Sequence, residues 1–233
     1  MSPDLERKRP GGVLLPTLLI LVGVVVAFVI FTGFYTEFMW FDSVEKTQVF
    51  TISLVTRAIM FGIMFAIMFV VSSLALLIAF RTRPSYVGAT PEQASLERYR
   101  VAIEPYRKWI AVAIVFVLSF FAGLAGSGEY GTFLLWQNST LFGQVDPQFG
   151  RDLSFYTFEL PFFRFILGYG FALVILSLMI VTAVQYLYGG LRLQPKGERA
   201  TRAAQAQLSA LLAVFLLLKA VAYYLDRFGL VTK

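Results

Sequence analysis

Long, uninterrupted apolar stretches are the feature that most constrains this chain. The first covers residues 13–34 and contains no charged side chain. A helix of this length crosses a hydrocarbon core of roughly 30 Å at about 1.5 Å per residue. Four more apolar stretches cover residues 58–80, 109–126, 161–188 and 208–225. Since 58% of the chain is hydrophobic, against about 45–50% in soluble domains, we predict an all-α, multi-pass helical membrane protein with these five transmembrane helices and short interfacial amphipathic helices.

Polar segments separate the predicted spans. They are a basic tail (1–12), an outer loop with an interfacial helix (35–57), an inner loop with an amphipathic helix (81–108), an outer re-entry segment (127–160), an inner loop (189–207) and an outer tail (226–233). Asp42 and Glu45 have the spacing of a capping box, which predicts a helix start. Pro105 should end or kink the amphipathic helix. That helix either binds an anionic membrane surface or packs on the protein's own loops.

The distribution of charge predicts the orientation of the chain. Most of the 20 Lys and Arg residues lie in 1–12, 81–108 and 189–207. Basic residues near the ends of spans favour the cytosolic side, so we expect a cytosolic N-terminus and, after five spans, an extracytoplasmic C-terminus. The net charge of +6 is then a topology signal, and nucleic acid is not an expected partner.

The usual catalytic residue types are missing. The chain contains no His and no Cys, which removes the commonest general base, the usual metal ligand and the thiolate nucleophile. It also has no phosphate-binding or zinc-protease motif. Ser127 and Lys219 would form a Ser–Lys pair only if the fold brought them together, and no sequence pattern indicates that it does. We therefore expect no enzymatic activity, no cofactor and no metal.

The segment 142–163, FGQVDPQFGRDLSFYTFELPFF, interrupts the apolar sequence with turn residues and charges. Asp146 and Pro147 form a typical turn start, and Gly143 and Gly150 can adopt positive φ at little cost. These residues predict an ordered connection between the third and fourth spans.

Two further carboxylates follow in the same segment. Asp152 has the position of an N-cap for a short surface helix that ends at Glu159, and Pro161 then suits the first turn of the fourth span. Together with Asp146, these side chains could bind a cation such as Ca²⁺, but their spacing matches no calcium loop. Capping is the simpler interpretation for Asp152.

Two basic side chains lie within or beside predicted spans. Lys219 stands inside the fifth span, where a central charge costs roughly 2.5–3.5 kcal/mol on insertion scales. It either extends toward the outer interface, pairs with an outer carboxylate such as Asp152 or Glu159, or lines a transport pathway. Arg57, at the predicted outer edge of the second span, is interpreted mainly as a topological anchor.

Several motifs resemble a known family. They are WFDSVEKTQVF at 40–50, LERYR at 96–100, LFGQVDPQFGRDLSFYTFELPF at 141–162 and KAVAYYLDRFGL at 219–230. In the same order, over nearly the whole chain, they are similar to uncharacterised protein family 0182 of bacteria. The resemblance implies a multi-pass protein of the bacterial inner membrane, typically with about seven spans followed by a large domain outside the membrane. This chain stops just after the fifth predicted span, so we expect either a fragment or a natural short form.

The functional hypothesis is therefore structural. We expect the membrane anchor or scaffold portion of a larger envelope protein, with the lipid bilayer and an extracytoplasmic domain or partner protein as its partners. The alternative is a component of a transporter or channel with Lys219 in or near the pathway. The sequence does not indicate an oligomeric state or a substrate.

Overall fold

The structure is a computed structural model that describes residues 14–84, 91–192 and 199–230. The predicted all-α class is confirmed, since the described residues form helices joined by turns and short loops. The α-helices are α1 (Leu14–Ser43), α2 (Thr47–Arg81), α3 (Pro91–Ile103), α4 (Arg107–Gly128), α5 (Tyr130–Gln137), α6 (Leu160–Leu187) and α7 (Arg202–Asp226). The basic tail 1–12 and the last residues, 231–233, lie outside the described residues.

Five helical stretches are long and apolar enough to cross a membrane. They are Leu14–Ser43, Thr47–Arg81, Leu96–Gly128, Phe155–Leu187 and Arg202–Leu230. Each overlaps one of the predicted apolar spans to within one residue at its ends and extends beyond it on at least one side. The apolar pattern marks the part of a helix that fits the hydrocarbon core, whereas backbone hydrogen bonding continues into the polar flanks.

The chain divides into two compact units, and residues 1–54 form the first. None of the residues of α1 is buried, and the helix is apolar all round, as expected of a helix in lipid. Near the end of α1, the rings of Phe34, Phe38 and Phe41 surround Phe50, with centroids 5.3, 5.6 and 5.8 Å from its own. This aromatic cluster packs the end of α1 against the start of α2.

The predicted capping box at Asp42 and Glu45 is wrong. Asp42 still belongs to α1, which ends at Ser43, and Glu45 has a φ of 56° in the turn that follows. The Glu45 N–H donates to the Asp42 carbonyl oxygen at 3.0 Å. These residues therefore close the turn between two long helices, and α2 begins only at Thr47.

The second unit covers residues 55–233, and the pair α2–α4 forms one side of it. The Phe61 ring packs edge-on against Phe120, and the Phe65 ring packs edge-on against Phe116. On the facing side of α4, Gly123 and Gly126 are buried and lie directly on the turn of α2 that contains Phe61. Small residues let two helices approach closely. Gly123 and Gly126 each belong to a small-xxx-small pair, with Ser119 and Ala122 four positions earlier.

Polar contacts tie α2 to α6 and α7 inside the second unit. Gln185 is fully buried, and its side-chain N–H group is 3.3 Å from both Thr82 Oγ1 and Gln207 Oε1. Gln207 in turn donates to the Ala75 carbonyl oxygen at 2.7 Å. Farther along, the Tyr169 hydroxyl donates to the Met64 carbonyl oxygen at 2.6 Å. These bonds fix the three helices in register where apolar packing alone is not directional.

The expected break before Pro161 does not occur. Helical backbone begins at Leu153 and continues through a π-helical stretch, Phe155–Glu159, directly into α6. The Leu160 N–H donates to the Phe155 carbonyl oxygen in the i→i+5 pattern of a π-helix. Pro161 has no N–H to donate to the preceding turn, and it lies directly after the point where the π-helical stretch passes into α6. Surface helix and span are therefore one continuous element.

Pro105 has the predicted effect at the other end of the bundle. Helix α3 ends at Ile103, and a 3₁₀ turn, Glu104–Tyr106, leads into α4. Arg100 on α3 donates to the Leu187 carbonyl oxygen at 2.9 Å, so this helix contacts the end of α6. The 3₁₀ turn lets α3 and α4 follow each other with only a local interruption.

Candidate functional site

The segment 142–156, together with residues 225–228, forms an ordered assembly that we call the clasp. Its first part is a loop in which Gly143 and Gly150 have φ values of 73° and 65°, as their positions in the sequence predict. Val145 pairs with Asp152 in an isolated antiparallel bridge, and the Asp146 N–H donates to the Arg151 carbonyl oxygen at 2.8 Å. The loop is therefore closed on itself by its own backbone.

Asp152 holds the two ends of this loop together. Its carboxylate accepts hydrogen bonds from the N–H groups of Ser154, Phe142 and Gly143 at 2.8, 3.0 and 2.9 Å. These bonds, with those from Ser154 the largest influence, lower the pKa of Asp152 to about 2, because they favour the charged form. The predicted capping role is confirmed at Ser154, and the bonds to 142–143 extend it.

Asp146 lies deeper in the same loop and is only 3% exposed. Its Oδ2 atom accepts hydrogen bonds from the Phe149 N–H at 2.7 Å and from the Tyr156 hydroxyl at 3.1 Å. A cation bound to Oδ2 would have to displace both donors. The geometry thus uses Asp146 to join the loop to the first turn of the following helix.

Phe228 closes the clasp from the opposite side. It follows α7 in a 3₁₀ turn, Arg227–Leu230, and is 2% exposed. Its ring lies 5.1 Å from the ring centroids of both Phe149 and Phe155 and 6.3 Å from that of Tyr156, in edge-to-face arrangements. Such aromatic pairs are stabilising beyond their buried area, so the end of α7 is fixed against the loop.

Two arginines cover the aromatic surface of the clasp. The Arg227 guanidinium lies 3.9 Å from the Tyr224 ring centroid and 4.4 Å from that of Phe228. The Arg151 guanidinium lies 5.4 Å from the Phe155 centroid. Both are within the range of cation–π attraction. A methyl group added at Gly229 would lie 2.6 Å from the Arg164 guanidinium, so the Arg164 side chain would have to move to accommodate it.

The structure does not bring Lys219 to the predicted carboxylates. Among the described residues, Lys219 makes no ion pair; its ammonium group lies 4.7 Å from the Tyr223 ring centroid. The residue is exposed on α7, as expected of a lysine that extends along a lipid-facing surface. Glu159 is half-buried at the end of the π-helical stretch, outside the hydrogen bonds of the clasp.

Arg57 makes a specific contact inside the second unit. Helix α2 begins at Thr47, so Arg57 lies within the helix, directly before the apolar stretch 58–80. Its guanidinium stacks 4.1 Å from the Tyr130 ring centroid. The Nε atom is buried and has no hydrogen-bond partner among the described residues. Arg57 therefore links α2 to the start of α5 through a cation–π contact.

Sequence reasoning missed a charged cluster at the other end of the second unit. Glu104 forms ion pairs with Arg107 and, at 3.8 Å, with Arg83, and it accepts a hydrogen bond from the Tyr188 hydroxyl at 3.2 Å. Burial is the main cause that raises the pKa of Tyr188. The i, i+3 spacing of Glu104 and Arg107 was the only local signal, because the other partners come from distant segments.

Among the described residues, Ser127 and Lys219 also form no hydrogen bond with each other. The Ser127 hydroxyl donates to the Leu124 carbonyl oxygen of its own helix at 2.8 Å, a common bond for serine in helices. Lys219 instead faces Tyr223 on α7. In the described part of the chain, no group of three or more acidic side chains is placed to hold a metal ion.

These features define the class of the protein: a multi-pass helical membrane protein with an ordered clasp at one end of its second unit. The profile of the uncharacterised protein family UPF0182 matches residues 14–233, and the chain belongs to this family. A UPF0182 protein of Streptomyces coelicolor is 46% identical over 235 residues, which cover 100% of this chain and 24% of that protein.

Other relatives agree with this assignment. UPF0182 proteins of Frankia casuarinae and Salinispora arenicola are 43% and 46% identical, and each alignment covers 97% of this chain but only 22% and 23% of the relative. The chain therefore spans about a quarter of the length of these relatives and matches their N-terminal part. No solved structure matches the chain.

Proposed function

We propose that this chain is a non-catalytic membrane anchor of the bacterial inner membrane that holds the remainder of a larger envelope protein on the extracytoplasmic side. The N-terminus would lie in the cytosol, and the clasp would lie outside. The concentration of Lys and Arg in 1–12, 81–108 and 189–207 supports this orientation. The lipid bilayer and an extracytoplasmic domain or partner would be its partners.

One observation carries this proposal: the carboxylates of the clasp are turned inward. Asp146 and Asp152 both accept hydrogen bonds from within the clasp, and Phe228 is buried beneath the loop. The clasp therefore orients residues 225–230, from which the chain of the longer relatives continues. Side chains that act on a solute or substrate would instead have to be accessible to it.

A transporter or channel component is the alternative. It would require polar groups that share a path across the bundle. Lys219 is twelve positions beyond Gln207, which places it about 18 Å farther along α7 than the part-buried Gln185–Gln207 contact. Lys219 is also exposed, whereas Gln185 is fully buried. This separation favours the anchor.

The test compares Phe228→Ala and Asp152→Asn with the matched control Leu230→Ala, in cells that produce the full-length protein. Leu230 lies in the same 3₁₀ turn but is 68% exposed. We expect the first two variants to lower the amount of protease-resistant, membrane-assembled protein, because the clasp no longer fixes the end of α7, whereas the control should behave as wild type.

The second measurement is solute flux in proteoliposomes that contain equal amounts of assembled protein. Under the anchor proposal, clasp variants that assemble normally leave any flux unchanged. Normal assembly combined with abolished flux in Asp152→Asn or Lys219→Met would refute the proposal and establish the transporter alternative.

A further inference from the structure

A groove between α2 and α4 combines an apolar wall with a basic rim. The cavity has a volume of about 500 Å³. Phe69, Leu77, Val112 and Val115 are among the residues of its wall. The side chains at its end are basic: Arg81, Arg83, Arg107 and Lys108.

The charge at this rim is not neutralised within the described residues. Glu104 is the carboxylate that pairs with Arg83 and Arg107. Arg81 and Lys108 are exposed, and neither has an ion pair, hydrogen bond or ring contact in the described part of the chain. Among the described residues, the rim therefore has four cations and one paired carboxylate, and this local positive surplus favours an anionic ligand.

The dimensions of the groove match a lipid chain. Along α2, the groove residues extend from Arg81 to Phe69, twelve positions or about 18 Å of helix. One leaflet of the hydrocarbon core is about 15 Å thick. The apolar wall thus begins at the basic rim and continues to about the depth of one leaflet.

We propose that this groove binds an anionic glycerophospholipid, with the phosphate at Arg81 and Lys108 and one acyl chain between α2 and α4. Basic pockets between transmembrane helices on the cytoplasmic side are a known setting for anionic headgroups. Arg83 and Arg107 remain paired with Glu104, which holds them at the rim. Arg81 and Lys108 contact the phosphate. This site is independent of the clasp and of the anchor function.

The test measures lipid binding to the purified chain by native mass spectrometry, with phosphatidylglycerol as the probe. The variant Arg81→Gln/Lys108→Gln removes the two cations that have no partner in the described part of the chain. At about 1 kcal/mol per basic residue near an anionic lipid, affinity should fall about thirtyfold. The matched control, Arg98→Gln/Arg202→Gln, removes two exposed basic residues outside the groove and should change affinity less than threefold.

Further arms separate the headgroup from the acyl chain. Phosphatidylcholine with the same acyl chains should bind at least tenfold more weakly, and glycerol phosphate alone should not compete. Ala111→Phe places a larger apolar side chain in the groove without changing its charge. This variant should also weaken phosphatidylglycerol binding. Thermal unfolding of each variant in detergent confirms that it is folded.

Three results would overturn the proposal. Equal losses of phosphatidylglycerol affinity in the rim variant and in the control would indicate non-specific electrostatic attraction. Equal binding of phosphatidylcholine would remove the role of the basic rim. Competition by glycerol phosphate, with no effect of Ala111→Phe, would assign the site to a soluble anion.

Discussion

Three backbone N–H groups converge on the Asp152 carboxylate, from Phe142, Gly143 and Ser154. They come from opposite ends of the loop, so this one side chain adds three hydrogen bonds to those that the loop backbone makes with itself. The position of Asp152 before a helical stretch predicts the bond to Ser154. The bonds to Phe142 and Gly143 depend on loop closure, which no local sequence pattern specifies.

The pH dependence of Asp152 follows from its lowered pKa, about 2 against an ordinary value of 3.8. Because the folded-state pKa is depressed, the Asp152 carboxylate stabilises the folded state fully above about pH 4. This stabilisation is lost as the pH falls toward 2. We expect the thermal stability of the wild type in detergent to fall across this window relative to Asp152→Asn, whose side chain does not titrate. Carbon-13 NMR of the Asp152 carboxyl group should give its midpoint directly.

A matched control separates this effect from general acid sensitivity. Asp42 is exposed, and its side chain makes no hydrogen bond or ion pair in the described residues. Asp42→Asn should therefore follow the wild-type pH profile. If Asp42→Asn and Asp152→Asn gave the same profile, the carboxylate of Asp152 would not be the group that stabilises the loop.

At the scale of the elements, the close packing of α2 and α4 depends on glycine. A methyl group at Gly126 would lie 2.9 Å from Met64 Cβ and 3.4 Å from the Met60 carbonyl oxygen, and would also clash with Met64 Cγ. A methyl group at Gly62, which also belongs to a small-xxx-small pair, would meet nothing within 4 Å. The sequence pattern is the same at both positions, but only one forms the contact.

We predict opposite effects for the two alanine substitutions. Gly126→Ala should lower the free energy of unfolding by about 1–3 kcal/mol, because it forces α2 and α4 apart. Gly62→Ala should be neutral or slightly stabilising, because alanine has the better helix propensity. Unfolding by SDS titration, followed by circular dichroism, measures both; a similar loss in both variants would contradict the observed interface.

The sequence predicted helix class and the apolar centres of the spans, because both depend on composition and length alone. It did not predict the turn at Asp42–Glu45, where a capping-box pattern occurs without a helix start, nor the π-helical continuation into α6. It also did not predict the contact of the Arg57 guanidinium with the Tyr130 ring, since the two residues belong to different helices. Contacts between distant segments, such as Tyr156 with Asp146 and Glu104 with Tyr188, require the fold itself.

For the whole molecule, membrane orientation is the property that remains a prediction. Single cysteines can be introduced into this naturally cysteine-free chain. From outside the cell, an impermeant thiol reagent should label Ser139→Cys, whose side chain is exposed, and should not label Ser95→Cys in the predicted inner loop. The reverse pattern would invert the topology.

Ser154 requires a different interpretation in this experiment. The sequence alone predicts that Ser154→Cys is accessible, because it lies in the outer segment. In the structure, Ser154 is 3% exposed, so its side chain is shielded by the clasp on whichever side of the membrane it lies. Labelling at this position therefore reports on opening of the clasp, and Ser139 is the better marker of the membrane side.

The packing of Phe228 in the clasp also has a mechanical consequence. A pulling force applied at Leu230 would reach the aromatic contacts with Phe149 and Phe155 before it reached the hydrogen bonds of α7. Those rings interlock edge to face, so they resist sliding. Tension from any segment attached beyond Leu230 would thus be shared with α6 through the π-helical stretch, instead of unwinding the last helix turn by turn.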